Sequence, residues 1–329
     1  MLEHGGRLRQ AAADYGIPLA EWLDLSTGIN PRPWPVPALP IAAWQRLPEE
    51  NDGLEAAAAA YYGNAGALPV AGSQAAIQAL PRLFPPDRLT CVTPLYAEHA
   101  LAWQRAGHAI DTQPASSAGM ERAKYALLCN PNNPTAQVHR PVDLLALADA
   151  IRRREGWLVV DEAFIDATPE ASLTPLAGST QAPNLIVFRS LGKFFGLAGA
   201  RVGFVFAAAE LRRRLAEALG PWTVSGPSRL VARRALQDAA WQATARRHLA
   251  GASRRLHALL ASYGEVSSTA LFATLRGVDG PHWHDSLARQ GILTRHFPEH
   301  ALLRFGLPGV ESDWQRLAQA LANCAPSAA

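Results

Sequence analysis

The chain has 329 residues, 49% hydrophobic and 18% charged, which suits one large core or two smaller ones and excludes a disordered or fibrous protein. Lysine and arginine number 31 against 28 acidic residues, and a net charge of +3 is too small to imply a nucleic-acid partner. There is no signal-peptide pattern and no long uncharged apolar span, so a cytoplasmic location without membrane contact is expected.

In chain order, His4 to Gly16 reads as a loop followed by a short helix that a glycine ends. Leu23 to Pro31 is a brief extended run stopped by Asn-Pro, and Pro31 to Pro40 is a proline-rich connector. Leu54 to Tyr62 is an alanine-rich helix. A strand from Leu68 runs into Gly72, and a helix starts at about Ser73. Strands at Leu89 to Thr93, His108 to Asp111, Tyr125 to Cys129 and Trp157 to Val160 then alternate with helices at Ala97 to Ala106 and Val142 to Arg154. Leu185 to Phe188 and Val202 to Phe206 are further strand-like runs. Such alternation predicts an α/β fold with a mainly parallel sheet between helices. An arginine-rich helix and one long helix from Ser228 to about Ser262 follow, then a smaller α+β lobe with strands near Leu271 to Leu275 and Leu302 to Phe305. The expected division is an arm over 1–40, a large domain over 41–225, and a linking helix with a small domain over 226–329. Cys91, Cys129 and Cys324 lack metal-ligand spacing, so no metal is expected.

In parallel sheets ligands bind beyond the carboxyl ends of the strands, where the polar candidates collect. Ser190-Leu-Gly-Lys193-Phe-Phe-Gly-Leu-Ala-Gly-Ala-Arg201 sets one lysine among small and apolar residues, with an arginine eight positions on, and is either a reactive site or a glycine-rich turn with a surface lysine. A desolvated lysine loses proton affinity and becomes a nucleophilic amine, and an arginine with a hydroxyl suits a phosphate dianion. Gly72 and Ser73 open a helix, where backbone N–H groups and the dipole favour an anion, although Gly-Ser is also an ordinary cap. Asp161 ends the apolar strand Trp157-Leu-Val-Val-Asp161 and can pair with a protonated ring nitrogen or simply cap a helix. Asn130-Pro-Asn-Asn-Pro-Thr135 is a rigid turn that presents amides, and Tyr96 is a stacking ring or plain core.

In order and placement, Gly72-Ser-Gln74, Tyr96, Asn133-Pro-Thr135, Asp161-Glu-Ala163, Ser190-x-x-Lys193 and Arg201 resemble the fold-type I pyridoxal-phosphate enzymes over nearly the whole chain. The resemblance implies a large domain and a smaller α+β domain, a homodimer, and a covalent link from Lys193 to pyridoxal 5'-phosphate. It also implies that Asp161 pairs with the pyridine nitrogen, Tyr96 stacks, and Asn133 contacts the phenolic oxygen. Gly72, Ser73, Gln74, Ser190 and Arg201 would hold the cofactor phosphate.

His4-Gly-Gly-Arg-Leu-Arg-Gln-Ala-Ala12, Trp22 to Pro31, Asp161 to Asp166, Arg189-Ser-Leu-x-Lys193, Pro221-Trp-Thr-Val224 and Leu236-Gln-Asp-x-Ala-Trp241 resemble the L-threonine-O-3-phosphate decarboxylases of cobalamin synthesis. That resemblance implies decarboxylation to (R)-1-aminopropan-2-yl phosphate, with His4, Gly5, Asn30, Asn133, Arg295 and Arg304 as substrate contacts and Lys193, Asp161 and Tyr96 at the reacting end. A histidinol-phosphate type aminotransferase and a non-catalytic binding module remain the alternatives. The chain departs from the pattern at Gly192, where a hydroxyl residue is common, at Phe164 in place of a tyrosine, at Leu47 and at Pro308.

Overall fold

The computed structural model describes residues 4–114 and 119–324. The chain divides into two compact units, one of residues 1–32, 134–136 and 245–329, the other of 33–133 and 137–244. The division after 32 and after 244 thus falls elsewhere than the sequence boundaries after 40 and 225.

The second unit is built on a seven-stranded sheet in the order Leu68–Val70, Gly203–Phe206, Leu185–Ser190, Trp157–Asp161, Tyr125–Cys129, Arg88–Thr93, Ala109–Pro114. The last five run parallel, and Gly203–Phe206 is antiparallel to both of its neighbours. Tyr125–Cys129 is buried at every position, the unbroken apolar pattern of a strand covered on both faces. Helix Pro141–Arg152 shows how the covering layer forms. Proline sits in its first turn, Asp143 meets the positive end of its dipole, and Leu144, Leu147, Ala148 and Ile151 make one buried stripe. Register then aligns the strand ends: Cys129 lies opposite Asp161, Asp161 opposite Phe188, and Ser190 opposite Gly203.

The expected single helix from Ser228 to about Ser262 is two helices, Gly226–Gln237 and Ala239–Ala261. Asp238 breaks it with non-helical torsions (φ −88°, ψ 75°). Its carboxylate accepts the backbone N–H of Trp241 at 3.0 Å and the indole N–H of Trp34 at 3.1 Å, so it caps the second helix.

In the first unit, strands Arg295–Phe297, Leu302–Gly306, Phe272–Arg276 and Glu265–Ser268 form an antiparallel sheet in that order. Leu23–Asp24 pairs in parallel with Ile292–Leu293. Helix Leu8–Tyr15 ends at Gly16 in the left-handed region (φ 67°), as the glycine suggests, and its Ala11 packs with Trp22, Ala288 and Leu293.

Candidate active site

Asp161 sits at the carboxyl end of a central strand, 6% exposed. One carboxylate oxygen accepts the backbone N–H of Ala163 at 2.9 Å, and the other lies 2.8 Å from Nε2 of His99. A carboxylate only accepts, so the imidazole donates from Nε2. His99 is itself buried and stacks on Phe188, with ring centroids 5.9 Å apart. Cys129 completes this floor: its thiol, His99 and Asp161 offer polar atoms within 4.8 Å of one another. Burial and then Asp161 push the Cys129 thiol well above its usual range, and the backbone N–H groups of Tyr96 and Asn133 donate to it. One buried thiol therefore ties together the loops that carry the expected stacking ring and the expected amide.

Tyr96 packs edge-on to His99, with centroids 6.0 Å apart. Burial, Glu98 and Asp161 raise its phenol to about 12, so it stays protonated and donates to Gln74 Oε1 at 3.1 Å. Gln74 Nε2 donates in turn to Glu98 at 3.1 Å. The Gln74 amide thus braces Tyr96.

Gly72 (φ 69°) and Ser73 begin the helix Ser73–Ala79. A Cβ on Gly72 would lie 2.5 Å from the Arg201 guanidinium, and one on Gly203 would lie 2.5 Å from Ser73 N. Glycine is required at 203 because the neighbours are backbone atoms, and at 72 because of the positive φ. Arg201 itself holds a left-handed φ of 52°, a strained state for a residue with a side chain. Gly203 also pairs with Ser190, so Gly72, Ser73, Ser190 and Arg201 meet in one small region. Ser190 Oγ accepts the N–H of Gly192 at 3.3 Å. At Gly192 a Cβ would sit 3.1 Å from Ala198 Cα, so a side chain there would need Ala198 to give by a few tenths of an ångström. Lys193 follows, its Nζ 5.4 Å from the centroid of Phe164, so an aromatic face occupies the place of the absent phenol.

These features fit pyridoxal phosphate. A buried acceptor suits a protonated ring nitrogen, and a glycine-lined helix start beside a guanidinium suits a dianion. The chain has just two lysines, and Lys124, the other one, lies near the exposed Glu155 at 3.9 Å.

The expected substrate residues other than Asn133 belong to the first unit. Arg304 is buried, and desolvation followed by Arg295 lowers its guanidinium to about 10. It donates to the carbonyl of Ser26 at 2.6 Å and lies over the rings of Phe272 and Phe297. Arg295 is its register partner on the neighbouring strand. Gly5 lies against the same Ser26 carbonyl, and His4 precedes it. Asn30 is buried and turned to its own loop, accepting the N–H of Arg32 at 2.9 Å.

The family model of class I and II aminotransferases matches residues 47–321. The chain belongs to that family. Within it, the threonine-phosphate decarboxylase of Pseudomonas aeruginosa is 53% identical, covering 98% of this chain and 97% of that protein. The threonine-phosphate decarboxylase of a Sinorhizobium species is 41% identical, with 97% of each chain covered. The histidinol-phosphate aminotransferase of Sinorhizobium meliloti, solved in complex with pyridoxal-5'-phosphate, shares the fold at a TM-score of 0.85 and 22% identity, over 98% of this chain and 95% of that one. The fold-type expectation therefore holds for this family member.

The contacts of His99 and Cys129 with Asp161, and the pairing of Glu162 with Arg189, escaped the sequence reading. For Arg189 a signal existed, since an arginine ending the apolar run Leu185-Ile-Val-Phe188 must find a buried acid. For His99 and Cys129 there was none beyond their residue types.

Proposed function

We propose that this protein decarboxylates L-threonine O-3-phosphate to (R)-1-aminopropan-2-yl phosphate and CO2, using pyridoxal phosphate, as the aminopropanol-forming step of cobalamin synthesis. The observation that carries the reading is kinship at 53% identity to a threonine-phosphate decarboxylase over 98% of the chain.

Lys193 would bond to the cofactor aldehyde and Asp161 would pair with the ring nitrogen. Tyr96 would stack on the ring and Asn133 would reach the phenolic oxygen. Ser73, Ser190, Arg201 and the backbone at Gly72 and Gln74 hold the phosphate. When bound, pyridoxal phosphate supplies an electron sink for the pair left at Cα. Asp161, held in orientation by His99 and the Ala163 N–H, stabilises positive charge at the ring nitrogen. Arg304 takes the substrate carboxylate, while His4, Gly5 and Arg295 take the substrate phosphate, with Asn30 shaping the loop. Once the substrate amine has replaced Lys193 and left Nζ free as an ammonium, the Cα–carboxylate bond would break, CO2 would leave, and Nζ would return a proton to the electron pair left at Cα.

Two coarser expectations become part of the same reading. Val36, Ile41, Trp44, Leu47 and Trp222 are all more than half exposed, at 52%, 68%, 65%, 62% and 59%. Large apolar side chains concentrated in such short segments favour a second copy of the chain as their cover, hence a homodimer. No described helix is long and apolar enough to cross a membrane, and the protein is proposed to act in the cytoplasm.

The test is incubation of the cofactor-loaded protein with L-threonine O-3-phosphate and no oxo acid, with assay of CO2 and aminopropanol phosphate. Steady release of both is expected. Silence there, with amino transfer once 2-oxoglutarate and histidinol phosphate are supplied, would move the chain to the aminotransferase branch.

A further inference from the structure

Ser26 is a node that nothing in the reaction itself calls for. It is 2% exposed and uses three of its polar groups at once. Its carbonyl accepts from the buried Arg304 guanidinium at 2.6 Å. Its hydroxyl accepts the backbone N–H of Gly6 at 2.7 Å and donates to Asp24 Oδ1 at 2.6 Å. The same Asp24 oxygen accepts the Ser26 N–H at 2.9 Å, which fixes the hydroxyl rotamer. The glycine segment is fitted to this node. A Cβ on Gly5 would overlap the Ser26 carbonyl, and Gly6 has a left-handed φ of 80°. Two glycines in succession are thus needed for the backbone to lie flat on Ser26. The strand carrying Asp24 is pinned beneath by pairing with Ile292–Leu293, and Gly306 N–H donates to Leu25 O at 2.7 Å, next to Ser26.

We infer that Asp24 and Ser26 form a latch that holds the His4–Gly5–Gly6 backbone against Arg304, and that this latch sets affinity for the doubly anionic substrate. The inference rests on the proposed decarboxylase reading for the identity of the substrate. The latch itself rests only on the hydrogen bonds above. Its physical point is entropic. A glycine-rich segment outside helix and sheet frays unless something ties it, and a frayed loop must be ordered each time an anion binds. With the Gly6 N–H already held, His4 and the Gly5 amide are arranged before the substrate arrives. Asp24 and Ser26 are positioning residues: Ser26 touches the loop and Arg304, and Asp24 holds Ser26.

The experiment is a double-mutant cycle on the full-length holoenzyme with Ser26→Ala, His4→Ala and the pair, reading KM and kcat for L-threonine O-3-phosphate. Amide exchange at Gly6 is followed in parallel. Ser26→Ala should raise KM about tenfold with kcat nearly unchanged, and should speed Gly6 exchange. Because the hydroxyl acts through the loop, adding it to His4→Ala should raise KM little further. Independent, multiplying effects of the two substitutions would overturn the latch, as would a fall in kcat at constant KM. Unaltered Gly6 exchange in Ser26→Ala would overturn it whatever the kinetics. A wild-type enzyme that releases no CO2 would instead sink the decarboxylase reading, and the exchange result would still decide the latch.

Discussion

Asp161 and Glu162 are adjacent carboxylates at the end of one strand, both buried, and their surroundings could hardly differ more. Asp161 is met by an imidazole and a backbone N–H, neither of which carries a fixed charge. Glu162 accepts from Ser172 Oγ at 2.5 Å, Leu173 N at 2.7 Å, Thr174 Oγ1 at 2.9 Å and the Arg189 guanidinium at 3.0 Å. Arg189 also binds Asp166 at 2.7 Å and lies over the Tyr62 ring, 4.6 Å from its centroid. Strand alternation sends neighbours to opposite faces, so Asp161 and Ser190 serve one side while Glu162 and Arg189 lock the other. Asp161 is thus held in place without a cationic partner, whereas Glu162 shares the Arg189 guanidinium with Asp166. A dry ion pair of this kind is weak evidence for net stability, but breaking it is costly.

That contrast can be broken from either side. Asp161→Asn keeps the shape and removes the charge, and a loss of about 10²–10³-fold in kcat is expected, with thermal stability little changed. Steady-state rates and a melting curve check this, and a large fall in melting temperature would place Asp161 with the structural group. Arg189→Met should do the reverse, leaving two carboxylates unpaired in the core at a cost of about 3–5 kcal/mol in urea unfolding. An unfolding midpoint equal to that of the wild type would show that the Glu162 cluster carries no structural burden. Gly192→Ala is the mildest probe. Crowding against Ala198 should cost about 1–3 kcal/mol and weaken cofactor binding a few-fold, read by absorbance titration of the apoprotein. Tighter cofactor binding in that variant would remove the packing explanation for the glycine.

Much of the frame around this contrast was legible in the sequence because buried parallel strands leave unbroken apolar runs. Tyr125–Cys129 and the helix Leu54–Tyr62 have the ends the pattern predicts. Asp161 was legible for the related reason that a charged residue ending such a run stands out, and Lys193 because it is set among small and apolar residues eight positions before Arg201. The supporting residues were not. His99 reaches Asp161 across 62 positions, and Ser26 reaches Arg304 across 278, separations over which no local pattern carries information. Asp238 was hidden by alanine-rich sequence on both sides, where a single capping carboxylate ends one helix and begins the next. Gly192 read only as a departure from a common hydroxyl residue, and its closeness to the Ala198 backbone is visible only in the fold.

The most direct measurement at the centre of the site uses the chain's poverty in lysine. Reducing the holoenzyme with borohydride and mapping the pyridoxyl group by peptide mass spectrometry has two lysines to choose between, Lys193 and Lys124. Stoichiometric label on Lys193 alone is the expected result. Label on Lys124, or an unlabelled Lys193 in protein that still releases CO2 from threonine phosphate, would contradict the assignment of the site.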